Sequence, residues 1–362
     1  MKKFLLSALA ATTLLTSSCS EDFDVAAPYK NVTFVYAMLN QADTAQYIRI
    51  QKAFMDQDKS SLDMSKIADS SFYADGVLDV VVKEIQNGSV ISTTPLTRVR
   101  MENEGYPKQD GQFFTGPNYA YKYIPPGPGN RLNKNYLYRL EIKNTQTGEE
   151  YSAETNIIPT DTNRGNFYIY AFGDPTINYA PDPLTFTKTV PAASMRYELI
   201  VSVPSPARTL EGTIRFFYWE KNNTLQTEEQ KYVDFPFAQT LVNSGNGTLS
   251  VPNSAFYYFF RDNLGPAPAN TVRYLDSCDI YVYAGSQALE DYRALNGAQG
   301  GITSNEIKPI YTNMKGNNVY GLFTTRGVRI GRNLAINGAT LDSLYTNPIT
   351  AGVGIADQPS DK

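Results

Sequence analysis

Carboxylates are the residues in this sequence whose spacing could do chemistry. Asp56 and Asp58, in DQDKS, open like a calcium loop, in which alternating oxygen ligands surround a hard cation. The loop then departs from that pattern. Ser61 stands where the tight turn needs glycine, and Ile67 stands where a bidentate glutamate closes the site. Asp63 and Asp69 are the other acids within reach, and the expectation is a solvated acidic loop with no metal. Glu149 with Glu150, and Asp276 with Asp279, are carboxylate pairs of the kind glycosidases use, but the separation that matters there is spatial. The chain has no histidine, which removes Ser-His-Asp and Cys-His nucleophile systems, histidine bases and most zinc chemistry. Gly127-Pro128-Gly129 lacks the third glycine and the strand-to-helix setting of a dinucleotide loop, and no GK[ST] phosphate loop occurs. The sequence therefore predicts neither a catalytic centre nor a cofactor.

Aromatic side chains are the stronger signal. There are 26 tyrosines and 18 phenylalanines against one tryptophan, so contact surfaces and cores alike will be built from Tyr and Phe. Tyr119, Tyr121 and Tyr123 alternate, and on a strand they share one face. Exposed, that face would stack sugar rings; buried, it is one wall of a sandwich. Phe256, Tyr257, Tyr258, Phe259 and Phe260 form a run that is aromatic on every side of a helix. It serves either core packing or a contact surface, with Tyr257 and Tyr258 the candidate contacts, since aromatic residues are enriched at interface cores.

The two cysteines divide by context. Cys278 lies in the alternating run YLDSCDIYVY, where a free thiol is ordinarily buried and inert. Cys19 follows a positive start (Lys2, Lys3), a short apolar segment and Thr16-Ser17-Ser18, the order of a secretory signal. The segment is too short to span a bilayer, which takes about 20 apolar residues. A cysteine at this place resembles a bacterial lipobox, although Leu15 sits one position early. The resemblance implies cleavage before Cys19 and acylation of it, so that outer-membrane lipid becomes its first partner. Ser20-Glu21-Asp22 resemble the acidic signal that sends Bacteroidota lipoproteins to the cell exterior. Asp43-Thr44-Ala45 and Asp342-Ser343-Leu344 resemble the short O-glycosylation sequence of such proteins, with Thr44 and Ser343 as acceptors.

Without Lys2 and Lys3 the chain carries 30 basic and 36 acidic side chains, a charge near −6. That offers no footprint for nucleic acid.

Period-2 alternation rich in Val, Ile, Tyr, Phe and Thr, punctuated by Gly, Pro, Asn and Asp, dominates the rest. The predicted fold class is mainly β: an N-terminal immunoglobulin-like antiparallel β-sandwich and a C-terminal β-rich α+β domain. The boundaries are a signal peptide over 1–18, an acidic tether over 19–28, the sandwich over 29–160, the second domain over 164–345, and a loose polar tail over 346–362. About seven strands fall before Pro159, with Asn87-Gly88 a strong hairpin turn. In the second domain, strands are expected over 166–172, 196–203, 212–219, 272–283 and 318–326. Helices are expected at AFYYFFRDNL, after an Asn253-Ser254 cap and before Gly265, and at SQALEDYRAL, capped by Ser286.

The ordered stretches FVYAMLNQADTAQYIRIQKAF, VLDVVVKEIQNGSVI, NYLYRLEIKNTQTGEEYSAETNIIP and IKPIYTNMKGNNVYGLFTTR resemble a family of Bacteroidota surface lipoproteins defined only by a domain of unknown function. The late strand has less glycine here than is usual in that family. Its genes often lie beside those of TonB-dependent receptors. The resemblance implies an outer-membrane β-barrel partner and a non-enzymatic accessory role; a free-standing glycan- or peptide-binding lipoprotein is the alternative.

Overall fold

The computed structural model describes residues 32–53, 63, 66–111, 114–160, 167–173, 180–186, 196–242, 245–297 and 310–356. Cys19, Ser20, Glu21, Asp22, Asp56 and Asp58 lie outside the described residues.

Strand β1 (Thr33–Leu39) sends Val35, Ala37 and Leu39 inward, while Phe34, Tyr36 and Met38 take the opposite face. Gln46 closes the turn to β2 (Gln46–Lys52) by accepting from Asn40 N at 2.9 Å. After the short helix α1 (Ala68–Ser71) come β3 (Leu78–Gln86) and β4 (Ser89–Pro95), joined at Asn87-Gly88, both with positive φ as a two-residue hairpin turn requires. The long return strand expected over 89–99 is broken at Pro95-Leu96. There the chain leaves one sheet and enters the other as β5 (Thr97–Arg100). Strands β6 (Tyr119–Tyr123), β7 (Leu137–Asn144) and β8 (Glu150–Asn156) complete the first half.

The pairing orders are β1-β2-β6-β5 in one sheet and β4-β3-β7-β8 in the other. Lettered in chain order, these are A-B-E-D and C′-C-F-G, the arrangement of an immunoglobulin-like sandwich. Its core includes Val35, Leu39, Ile48, Val82, Tyr123 and Leu140.

The second half opens with β9 (Tyr168–Ile169), β10 (Arg196–Val203), β11 (Ala207–Asn222), β12 (Thr227–Leu241) and β13 (Gly245–Pro252). Helix α2 (Asn253–Leu264), β14 (Thr271–Ser286), helix α3 (Gln287–Gly297), β15 (Val319–Ala335) and helix α4 (Gly338–Thr346) follow. Strands β13-β10-β9 form a small sheet. Its inward residues Leu199 and Leu249 share a core with Ile214 and Phe216 of β11, Val282 of β14, and Phe256 and Phe260 of α2. Among the described residues no helix is long and apolar enough to cross a membrane.

Three expectations are corrected. The sandwich is not confined to 29–160. Strand β15 pairs parallel with β1 from Thr33↔Val319 to Leu39↔Thr325, then continues antiparallel to β14, so β12-β11-β14-β15-β1-β2-β6-β5 is one eight-stranded sheet. Met314, Val319 and Phe323 belong to the sandwich core. Gly321 has φ +131°, and a Cβ there would collide with the Val35 carbonyl oxygen. Second, α2 has no side-chain cap: Pro252 holds the cap position and Asn253 begins the helix. Third, the segment after Tyr345 is packed through residue 356. Arg273 Nη1 donates to Val353 O at 2.7 Å, Arg273 N to Gly354 O at 2.8 Å, and Val353 is buried.

Candidate binding groove

The eight-stranded sheet has one face on the two cores and an outer face. Helix α3 lies on that outer face, against β15, β11 and β14. Ser286 fixes where the helix starts: its hydroxyl accepts from Leu289 N and hydrogen-bonds Thr324 Oγ1. The expected Ser286 cap is present, and it anchors α3 to the sheet.

Between α3, β1, β2 and the 101–106 loop lies a groove of about 460 Å³. Tyr36, Tyr47, Tyr106 and Tyr292 wall it, and Met38, Met101, Leu289 and Leu322 supply apolar surface. The volume is in the usual range of small-ligand sites. Tyr36 meets Tyr292 edge-on at 6.4 Å, and Tyr47 meets Tyr106 edge-on at 5.7 Å. Such edge-to-face pairs fix the orientation of the rings. Tyr106 is 59% exposed and Met38 50% exposed.

Tyr47, Gln46 and Asp43 in the groove are engaged in hydrogen bonds. Tyr47 donates its hydroxyl to Glu104 at 2.7 Å, and Lys122 donates to the same carboxylate at 2.6 Å. Burial, then the Glu104 hydrogen bond, pushes the Tyr47 phenol up to about 12. Burial, then Tyr292, raises Tyr36 as well. Gln46 Nε2 is held by Asn40 O and Asp43 O. Asp43 stands at the lining with Asn40 Nδ2 at 3.0 Å.

Met38 and Leu289 also line a second, smaller cavity of about 200 Å³ on the other side of α3. Its walls include Glu211, Tyr283, Arg293 and Arg326. Arg293 is paired with Glu211. Arg326 lies over the Tyr283 ring at 5.3 Å and has no carboxylate partner among the described residues.

The tyrosines singled out by alternation are elsewhere. Tyr121 and Tyr123 are buried in the sandwich core and offer no ring to a ligand, which corrects their candidacy. Tyr119 is half-buried, beneath Arg98 at 3.7 Å and against Phe72. Tyr257 is buried, with its hydroxyl donated to Phe186 O at 2.8 Å, so it too is a core residue. Tyr258 is exposed beside Arg261. Thr44 is exposed on the β1–β2 turn, and Ser343 is half-buried on α4.

The acids paired in sequence do not converge on the groove; Glu150 instead lines a separate cavity with Asp79, Glu141 and Glu154, among Arg139, Lys143 and Lys315. Glu149 accepts from Tyr151, Glu150 pairs with Lys143 at 3.1 Å, and buried Asp279 accepts from Asn333 N at 2.8 Å. Asp63 and Asp69 are exposed, and no three metal-ligating side chains gather among the described residues.

Spacing did not reveal the groove tyrosines, because they come from four distant segments. One local signal was available. After Thr33, TFVYAML is apolar or aromatic at every position, so both faces of β1 had to be covered or used.

No family model matches the chain, and no curated protein matches it. Among solved structures it is similar to the C-terminal globular domain of an oligosaccharyltransferase from Pyrococcus abyssi, at 10% identity and TM-score 0.21. The match covers 64% of this chain and 39% of that one, so this chain matches well under half of that domain. It is also similar to CBD12 from CALX1.2, at 9% identity and TM-score 0.18, covering 82% of this chain and 98% of the other.

Proposed function

We propose that this chain is a non-enzymatic binding subunit: an outer-membrane lipoprotein acylated at Cys19, carried to the cell exterior by Ser20-Glu21-Asp22, and working with an outer-membrane β-barrel of the TonB-dependent receptor type. The observation that carries the binding role is the groove. It is ring-walled and lined mainly by apolar side chains, with Tyr47 and Gln46 already hydrogen-bonded within the protein. Such a surface suits recognition of a small ligand. The membrane and barrel parts of the proposal rest on the sequence at 14–24 and on the family resemblance. Multiple acyl chains give stable anchoring, at about 0.8 kcal/mol for each buried CH₂.

A free-standing binding protein for glycan or peptide is the second reading, favoured by the exposure of Tyr36 and Tyr106. The test is a mild-detergent pull-down of tagged protein from native outer membranes, with partners identified by mass spectrometry. A stoichiometric barrel supports the accessory subunit, and a chain that emerges alone overturns it in favour of the second reading. Cys19→Ala is expected to leave the protein unprocessed or soluble; a processed, membrane-bound variant refutes the anchor.

A further inference from the structure

One lining residue of the groove carries a formal charge, and it is an acid: Asp43, in the turn between β1 and β2. The turn holds it in place. Asn40 Nδ2 donates to Asp43 Oδ2 at 3.0 Å, Asn40 Oδ1 accepts from Ala42 N at 3.1 Å, and the Gln46 side chain bonds the Asn40 backbone at both N and O. Among the described residues no lysine or arginine pairs with Asp43. Lys122 is spent on Glu104, and Arg131, at the same turn, donates to Ala42 O at 2.6 Å. The rings add to the same sign. A tyrosine ring has a negative face and a positive edge, and Tyr36, Tyr47, Tyr106 and Tyr292 wall the groove. Lys122 lies over the Tyr47 ring at 6.0 Å. Tyr36 and Tyr106 are both exposed, and among the described residues no cation lies over either.

We infer that the groove takes a small organic cation, a quaternary or protonated amine carried on an apolar or aromatic body. The inference rests on the binding role proposed above and names its ligand class. An anion is repelled by Asp43 and by the ring faces. A saccharide would set its hydroxyls against Met38, Leu289 and Leu322, where no hydrogen-bonding group answers them. A neutral hydrocarbon suits those side chains but makes no use of the Asp43 charge. A cation on an apolar body uses both halves of the lining. Tyrosine faces attract the charge within about 6 Å of a ring centroid, Asp43 attracts it from the turn, and the thioethers and leucines cover the body.

The experiment is an NMR titration of the purified chain with two probes: para-(hydroxymethyl)benzyltrimethylammonium, and its uncharged isostere with a quaternary carbon in place of the nitrogen. The cation should bind about tenfold more tightly than the isostere, and less so as salt is raised. Asp43→Asn should weaken the cation about two- to fivefold and leave the isostere unchanged. Tyr106→Leu should weaken the cation by a similar factor, and Tyr106→Phe, which keeps the ring, should not. Asp262→Asn, on α2 beneath the other face of the sheet, is the control, and circular dichroism checks each fold. Equal affinity for the two probes, or cation binding indifferent to both Asp43→Asn and Tyr106→Leu, overturns the inference. Equal affinity that is lost for both probes in Met38→Lys would refute the cation while leaving the groove as the binding site. Binding of neither probe overturns the inference and the small-ligand role of the groove together. Failure of the barrel pull-down alone would leave the cation specificity standing.

Discussion

Tyr123 donates its hydroxyl across the sandwich to Glu84, at 3.0 Å, from β6 in one sheet to β3 in the other. Both residues are buried, and burial, then the Glu84 charge, raises the Tyr123 pKa steeply. This is a tyrosine whose alternation with Tyr119 and Tyr121 suggested a ligand face. It is instead the donor that satisfies a carboxylate inside the core.

Tyr123→Phe removes that donor and leaves Glu84 short of a partner. The expected cost is about 1–3 kcal/mol, the usual penalty for a buried polar group deprived of its hydrogen bond. Urea unfolding measures it. Groove-ligand affinity should stay unchanged, and a Tyr123→Phe variant of full stability that loses binding would return Tyr123 to the ligand surface.

Gly321→Ala is expected to disrupt the parallel pairing of β15 with β1. The added methyl meets the Val35 carbonyl oxygen, a backbone atom that cannot step aside, and φ at this position is one that L side chains rarely adopt. A loss of about 2–4 kcal/mol or an insoluble product should follow. Gly352→Ala, with open space around the new carbon, should be tolerated, and the two melting temperatures compare them directly.

Residues 347–356 act as structure and not as a loose tail. Arg273 is buried, pairs with Glu220 at 3.0 Å, and spends further donors on Gly265 O and Val353 O. Truncation after Thr346 removes the Val353 and Gly354 partners and uncovers the guanidinium. The expected destabilisation is about 2–4 kcal/mol by denaturant titration, with faster proteolysis near α2. An unchanged midpoint would show that these contacts contribute nothing.

Stability should fall on the alkaline side. Burial pushes the Cys278 thiol up to about 12 from 9.0, and burial is the leading cause that puts Tyr47 and Tyr151 at about 12 in place of 10.0. All three are neutral when protonated. As pH rises from 9 toward 12 the unfolded chain ionises first and the folded chain keeps its protons, so unfolding is favoured throughout that window. Below pH 9 this contribution is fully present. Denaturation midpoints at pH 8, 10 and 11 should decline in order. In the folded protein at pH 8, Cys278 should resist thiol reagents that modify it at once in guanidinium.

The sandwich was legible because each strand reports its own burial. LYRLEIKN alternates cleanly, VLDVVVKEI does so apart from Val81 and the inward Glu84, and Asn87-Gly88 admits few structures other than a tight turn. Strand β12 was hidden by its position. It is an edge strand whose exposed residues include Glu228, Glu229 and Gln230, and Pro236 sits beside a register shift, where a missing donor is tolerated. Helix α4 was hidden by its brevity, and the packed tail by its polarity, because backbone carbonyls and not apolar side chains engage Arg273. The groove was hidden for a different reason. Tyr36, Tyr106 and Tyr292 become neighbours only when α3 is laid on the sheet, and no local pattern encodes that distance.

The parallel pairing of β1 with β15 has a consequence for how the molecule comes into being. A chain emerging with its N-terminus first presents β1 almost at the outset, yet the strand that closes its far edge arrives nearly 290 residues later. Until then one edge of the sandwich is open, and Val319 and Phe323 are missing from its core. Contacts this remote in sequence form slowly and leave strand edges exposed to other chains meanwhile. The first half is therefore completed last, by the final strand of the second. That delay keeps a nascent chain incomplete until almost all of it has been delivered, and it makes the last strand the latch that commits both halves to a single cooperative unit.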